Sequence, residues 1–166
     1  MASSYHLNGL AADTPYQVVE KPHSDPRRMR IICAGAGAGG LLLAYKCKKN
    51  LQNMEIVCYE KNPEVAGTWF ENRYPGCACD VPVHNYAFSF EPNPNFSALY
   101  ASSAELKEYF QSFAKKYDLM AMINLNCTIK SAVWSEEKGI CESIVPACSL
   151  FPTRKSRFHR WQDSCT

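Results

Sequence analysis

Several things are missing from this sequence, and each absence removes a class of function. No apolar run is long enough to cross a bilayer; the longest, around LLLAY at 41–45, is far too short. The first residues, MASSYHLNGLAADTPYQ, have no basic stretch followed by an apolar one, so no secretory leader is expected there. Charge of one sign is not in excess. The net charge is +2, and no basic face is clustered in the body of the chain, so nucleic acid is not an expected partner. The nine cysteines are odd in number, and several fall in apolar runs (Cys33, Cys47, Cys58). They read as small buried hydrophobes rather than as a disulfide framework. Cys77 and Cys79 are spaced C-x-C with no second pair at zinc-site spacing, so no metal is expected. No internal repeat is visible. These absences predict a cytoplasmic, reduced, membrane-free protein.

What remains is a chain of 166 residues, 46% apolar and 20% charged. That length supports one domain that buries roughly 70% of its unfolded surface. Residues 1–27 are polar, end in KPHSDPRR and read as a flexible arm. Arg30 to Ala34 (RIICA) is an apolar run without clear alternation, as in a strand buried on both faces. GAGAGG follows at 35–40. LLLAYKCKKN then reads as a helix, with Leu41, Ala44 and Tyr45 on its buried face. EIVCY at 55–59 is a second buried strand, and Glu60 follows directly. A long irregular stretch over 62–103 contains the turn signal EPNPN. SSAELKEYFQSFAKKYDLM has the marks of a capped amphipathic helix. Ser102 or Ser103 can cap it, and Leu106, Tyr109, Phe110 and Phe113 form its apolar stripe. INLNCTIKSAVW at 123–134 alternates like a single strand, and EEKG at 136–139 reads as a turn. After Ile140 the pattern is lost. The basic cluster Arg154, Lys155, Arg157 and Arg160 reads as a solvated tail.

Gly35, Gly37 and Gly40 fit G-x-G-x-x-G between a strand and a helix. Gly35 permits the tight turn, Gly37 lets backbone approach a pyrophosphate, and Gly40 lets the helix pack close. The helix N-terminus offers free N–H groups to phosphates. Glu60 ends the second strand near the roughly 20-residue offset at which an acid meets an adenosine ribose. The fold class expected is α/β, a partial Rossmann-like (βαβ) dinucleotide-binding domain in three layers. The expected organisation is an arm (1–27), an incomplete dinucleotide-binding domain (28–140) and a divergent tail (141–166).

The glycine loop alone does not separate NAD from FAD. The run EKNPEVAGTWFENRYPGCACDVPVHNYAFSFEPNP does more. It resembles the N-terminal FAD segment of Baeyer–Villiger monooxygenases, within the wider flavin-containing monooxygenases, from about Arg30 to about Ile140. The resemblance implies FAD as cofactor, with Thr68, Trp69, Asp80 and Tyr86 against the flavin and Asp80 the flavin-adjacent catalytic group. Arg73 and Tyr74 would hold the loop together. It implies oxygen insertion into a ketone of secondary metabolism, with NADPH as reductant. Two positions depart from the family pattern: Ala66 stands where a glycine is usual, and Gly39 where serine is common.

The family's second glycine-rich fold for NADPH, and its F-x-G-x-x-x-H-x-x-x-W fingerprint, cannot be built from the eight glycines here. The expectation is therefore a truncated member that does not run NADPH-dependent turnover alone. The alternative is a redox-inactive remnant. It would act on a small-molecule substrate as a cyclase- or isomerase-like protein, with Asp80, His84 and Tyr86 as acid–base groups. It could equally serve as an assembly partner. A homodimer and association with a fuller homologue are the two assemblies expected.

Overall fold

The apolar run before the glycines pairs with the one after them. A computed structural model describes residues 28–137 and 140–144. β1 (Met29–Ala34), α1 (Ala38–Asn50) and β2 (Met54–Tyr59) form a βαβ unit. β1 and β2 are parallel, in register from Met29 opposite Met54 to Ala34 opposite Tyr59. A four-residue helix, α2 (Thr68–Glu71), opens the irregular segment, and a 3-10 turn occupies Val83–Asn85. Then α3 (Ser103–Lys116) and a second 3-10 turn (Met120–Met122) lead to β3 (Ile123–Asn124). β3 joins the far side of β2 in parallel, with Ile123 opposite Cys58. The sheet order is β1-β2-β3. β4 (Ser131–Ser135) and β5 (Ile140–Ile144) make a separate antiparallel hairpin. The arm and residues 145–166 of the expected tail lie outside the described residues.

One core unites the sheet with both long helices. Leu41, Ala44, Tyr45 and Cys47 of α1 meet Ile56 and Cys58 of β2 and Tyr109, Phe110 and Phe113 of α3. The burial alternates along the strands. Ile56 and Cys58 face the helices and are buried, while Val57 and Tyr59 on the opposite face are only partly covered. No residue of β1 is fully buried. The expectation of strands buried on both faces is thus corrected for the described residues. Both long helices pack against the same face of the sheet, so the apolar run does not report two-sided cover.

The expected strand over 123–134 is also corrected. It is two strands in two different sheets. Asn126 turns left-handed, at φ 56°. Its amide donates to the Asn62 carbonyl and that of Cys127 to the Glu60 carbonyl. The chain therefore follows the loop after β2 before β4 begins elsewhere.

The α3 helix starts where its residues say it must. Ser102 accepts a hydrogen bond from the Glu105 amide at 3.3 Å. The Glu105 carboxylate reaches back to the Ser102 hydroxyl at 3.2 Å and to the Ser97 amide at 2.9 Å. Ser102→Ala removes the cap and should lower stability by about 1 kcal/mol, read from the urea midpoint; an unchanged midpoint would count against the cap. At the other end Lys48 donates to the carbonyls of Tyr117 and Asp118, where cations suit the helix terminus.

The irregular segment is held without repeating structure. The Cys79 amide donates to the Ala101 carbonyl, that of Val83 to Leu99, and that of Ser103 to Cys77. Cys79, Val83, Ala101 and Leu106 form a small second core beneath it. Glu91 pins the later part to α3, accepting from the Lys116 ammonium and the Tyr117 hydroxyl, both at 2.5 Å. Those two bonds hold the Glu91 carboxyl below its usual range, and the bond to Glu91 pushes the Tyr117 phenol up to about 12.

Candidate functional site

Two loops meet at the C-terminal end of β1, where open α/β sheets place their ligands. The first is the glycine loop. Gly35 has φ +95°, which favours glycine, and Gly37 is the N-cap of α1. No side chain caps that helix and no acid stands in its first turn, so no side chain of its own competes for those amide groups. A side chain at Gly40 would place its Cβ 2.2 Å from the Gly35 carbonyl oxygen. Gly40 is therefore what lets the helix start so close to the strand, as its place in the motif predicts.

The second loop is the turn before Trp69. Gly67, at φ +52°, lies so close to the first loop that a Cβ there would stand 2.9 Å from the Gly37 Cα. The Ala66 amide donates to the Ala36 carbonyl at 3.1 Å. Sequence reasoning missed this second glycine contact. Its only signal was the G in GTW, and nothing local says which backbone that glycine must approach.

Ala66 is buried and sits at φ +100°. An alanine held there costs on the order of 1–3 kcal/mol. Ala66→Gly should raise stability by about 1 kcal/mol, once the greater freedom of glycine in the unfolded chain is discounted. Urea denaturation checks it, and a loss of stability would show that the alanine is not strained.

Glu60 is placed as the motif predicts, just beyond β2, and it is 3% exposed. One carboxylate oxygen accepts from the Ala36 amide at 2.7 Å and the other from the Asn62 amide at 2.9 Å. The acid thus holds the glycine loop. Each oxygen keeps a further acceptor site for a hydroxyl.

Along the second loop, Thr68 and Trp69 open α2, and Gly67 is its N-cap. Trp69 meets Tyr86 edge-on, with ring centroids 5.1 Å apart. The Tyr86 hydroxyl donates to Asp80 at 2.6 Å. That bond holds the Asp80 carboxyl below its usual range and raises the Tyr86 phenol, so near neutral pH Asp80 is an anion and Tyr86 carries the proton. Tyr86→Phe should move the Asp80 titration up toward the ordinary carboxylate value of about 3.9, read by NMR of its carboxyl carbon; an unmoved midpoint would contradict the pairing.

Arg73 donates to the Phe70 carbonyl and lies over the Phe70 ring, as a loop-holding residue should. Tyr74 is exposed, and His84 faces solvent on the 3-10 turn. The structure therefore gathers the predicted residues into two groups. Gly35, Gly37, Gly40 and Glu60 form one; Trp69, Asp80 and Tyr86 form the other. Contact between Gly37 and Gly67 joins them, with Thr68 next in the chain. A cavity of about 460 Å³ lies elsewhere, between α3 and residues 91–96, lined by Phe96, Glu105, Glu108 and Ser112 among others, and it holds none of the predicted residues.

This arrangement has relatives. Residues 33–103 match the NAD(P)-binding Rossmann-like domain family. The FAD-binding monooxygenase tazF of Aspergillus terreus is 42% identical over 120 residues, 71% of this chain and 21% of that protein. A Baeyer–Villiger monooxygenase of Pseudomonas aeruginosa is 35% identical over 114 residues, 69% of this chain and 21% of that one. Over the residues it shares with them, the chain belongs to the Baeyer–Villiger-type FAD-binding monooxygenases. Solved structures of the family agree. An oxidized steroid monooxygenase bound to NADP superposes with a TM-score of 0.63 at 30% identity, covering 71% of this chain and 23% of its own. OTEMO in complex with FAD and NADP gives 0.64 at 26% identity, covering 72% of this chain and 22% of its own. The chain spans about a fifth of the length of the curated Baeyer–Villiger-type relatives it matches. Among the described residues, no helix is long and apolar enough to cross a membrane, and no cluster of His, Cys, Asp or Glu is suited to a metal.

Proposed function

We propose that this chain binds FAD across the two joined loops and contributes the flavin-holding part of a Baeyer–Villiger-type monooxygenase. The observation that carries the reading is the glycine-to-glycine contact. Gly37 and Gly67 bring the phosphate-type loop and the Trp69 loop together at a distance that a side chain at Gly67 would break. One ligand long enough to lie on both loops is a dinucleotide. The amide groups at the start of α1 suit its pyrophosphate, and Glu60 suits ribose hydroxyls. Trp69 and Tyr86 offer aromatic surface for a planar ring, and Asp80 offers an anionic acceptor beside it. The residues present therefore fit FAD. When bound, the flavin supplies the redox chemistry of oxygen insertion. This chain's own residues bind it, orient it and keep Asp80 charged and Tyr86 protonated beside it.

The 166 residues contain one G-x-G-x-x-G. We infer one dinucleotide site, no NADPH turnover by this chain alone, and a hydride donor supplied from outside it. A fuller homologue that carries the second site is the partner this implies, and a ketone of secondary metabolism is the substrate class.

The test is a titration of the full chain with FAD, followed by flavin fluorescence. Trp69 and Tyr86 beside the ring should quench it, and ADP should compete. NADPH added to the saturated protein should not bleach the flavin. Unquenched flavin at every protein concentration would overturn the reading. It would favour the alternative, a small-molecule protein without redox chemistry.

A further inference from the structure

Three cysteines of the core cluster beneath the glycine loop, and the proposed site uses none of their thiols. Cys33 is the penultimate residue of β1, and Cys58 is its register partner in the adjacent parallel strand. Both point to the helix face of the sheet, Cys58 fully buried and Cys33 partly so. Neighbouring strands lie about 4.7–4.9 Å apart, inside the 4.4–6.8 Å Cα separation a disulfide accepts. The Cys33 thiol donates to the Gly35 carbonyl at 3.5 Å, and Cys58 is the neighbour that most perturbs its titration. Cys47, on α1, is the third; it is buried, and Cys33 influences it only through charge.

We propose that Cys33 and Cys58 are a redox-modifiable pair, oxidised by a hydroperoxide to a disulfide across β1 and β2. This does not rest on FAD binding.

The chemistry balances in two steps. The Cys33 thiolate attacks one peroxide oxygen. An S–O bond forms, the O–O bond breaks, and hydroxide or alkoxide leaves. The sulfur of Cys58 then attacks the resulting sulfenic acid. An S–S bond forms, the S–O bond breaks, and the hydroxyl leaves as water with the Cys58 proton. Two electrons pass from the sulfurs to the peroxide.

The electrostatics suit these roles. The interaction with Cys58 holds Cys33 at about 7, while the interaction with Cys33 and burial push Cys58 up. Cys33 is thus the attacking thiolate and Cys58 the resolving thiol. The pair also touches the loop above it. The Cys33 thiol lies 3.5 Å from the Gly35 carbonyl and 3.5 Å from where a Gly40 Cβ would stand. Closing the disulfide would draw that sulfur toward β2.

The full chain is treated with equimolar hydrogen peroxide, quenched by alkylation and mapped after trypsin. Cleavage at Arg30, Lys46, Lys49 and Lys61 isolates Cys33 in peptide 31–46, Cys58 in 50–61 and Cys47 in a separate fragment. The expected product is 31–46 joined to 50–61 with loss of two hydrogens. It should form about tenfold faster than oxidation of Cys141, an exposed free thiol with no cysteine partner opposite it on β4. Cys58→Ala should abolish the link and leave Cys33 as a sulfenic acid that dimedone captures. If that variant does not fold, Cys33→Ala should leave Cys58 unmodified at the same peroxide dose. Free thiols at both 33 and 58 once Cys141 is oxidised would overturn the proposal, as would a link from Cys33 to Cys47.

Discussion

Gly40→Ala lowers the stability of the domain by about 3 kcal/mol or more. The added Cβ would stand 2.2 Å from the Gly35 carbonyl oxygen and 3.1 Å from its carbonyl carbon. Both atoms are backbone, so no side chain can rotate away. Relief requires moving the start of α1 off β1, against the buried contacts of Leu41 and Ala44. A domain of this size has roughly 5–15 kcal/mol of stability, so the variant stands near unfolding. Gly39→Ala, one residue earlier, is the control. Nothing lies within 4 Å of the position its Cβ would take. An exposed helical alanine there should instead add about 0.5–1 kcal/mol. Urea denaturation of the pair checks the sign of each change. Equal effects would mean that the close approach at Gly40 is not what the loop depends on.

Phe110→Ala should cost about 3–5 kcal/mol. Phe110 is fully buried on α3, between the sheet core and the irregular segment. Its ring meets Tyr109 and Phe88 at centroid distances of 5.1 and 5.7 Å. Truncation removes the ring and leaves a cavity whose walls, Phe113 among them, are themselves held in aromatic contacts. The loss should appear as a lower urea midpoint. It should carry the 88–91 segment with it, because the Phe88 amide is held by the neighbouring Tyr109 hydroxyl. A cost below about 1 kcal/mol would show that this site collapses without strain.

The βαβ unit was legible because each of its signals is local. An apolar run, a glycine motif with a steric reason for each glycine, and a helix stripe at Leu41, Ala44 and Tyr45 all agree with the elements found. The α3 cap was legible for the same reason, since Ser102 and Glu105 lie three residues apart. The failures concern partners at long range. Alternation over 123–134 does not reveal that Asn126 turns left-handed and that Cys127 binds back to Glu60. Nor does an apolar run say that both long helices choose one face of the sheet. In the site, the resemblance of the GTW…CDVP run to the family pointed to the Asp80, Tyr86 and Trp69 group. The sequence did not show that Glu60 holds the loop amide of Ala36, or that Ala66 sits at a positive φ, since both depend on two loops meeting in space.

The most direct test of where the ligand lies is backbone amide NMR of the full chain during titration with FAD. The proposed cradle predicts shifts confined to Gly35–Leu41, Glu60, Gly67–Trp69, Asp80 and Tyr86. Shifts centred on residues 91–96 and the facing side of α3 would place the ligand in the separate cavity there and contradict the account, as would a spectrum that FAD leaves unchanged.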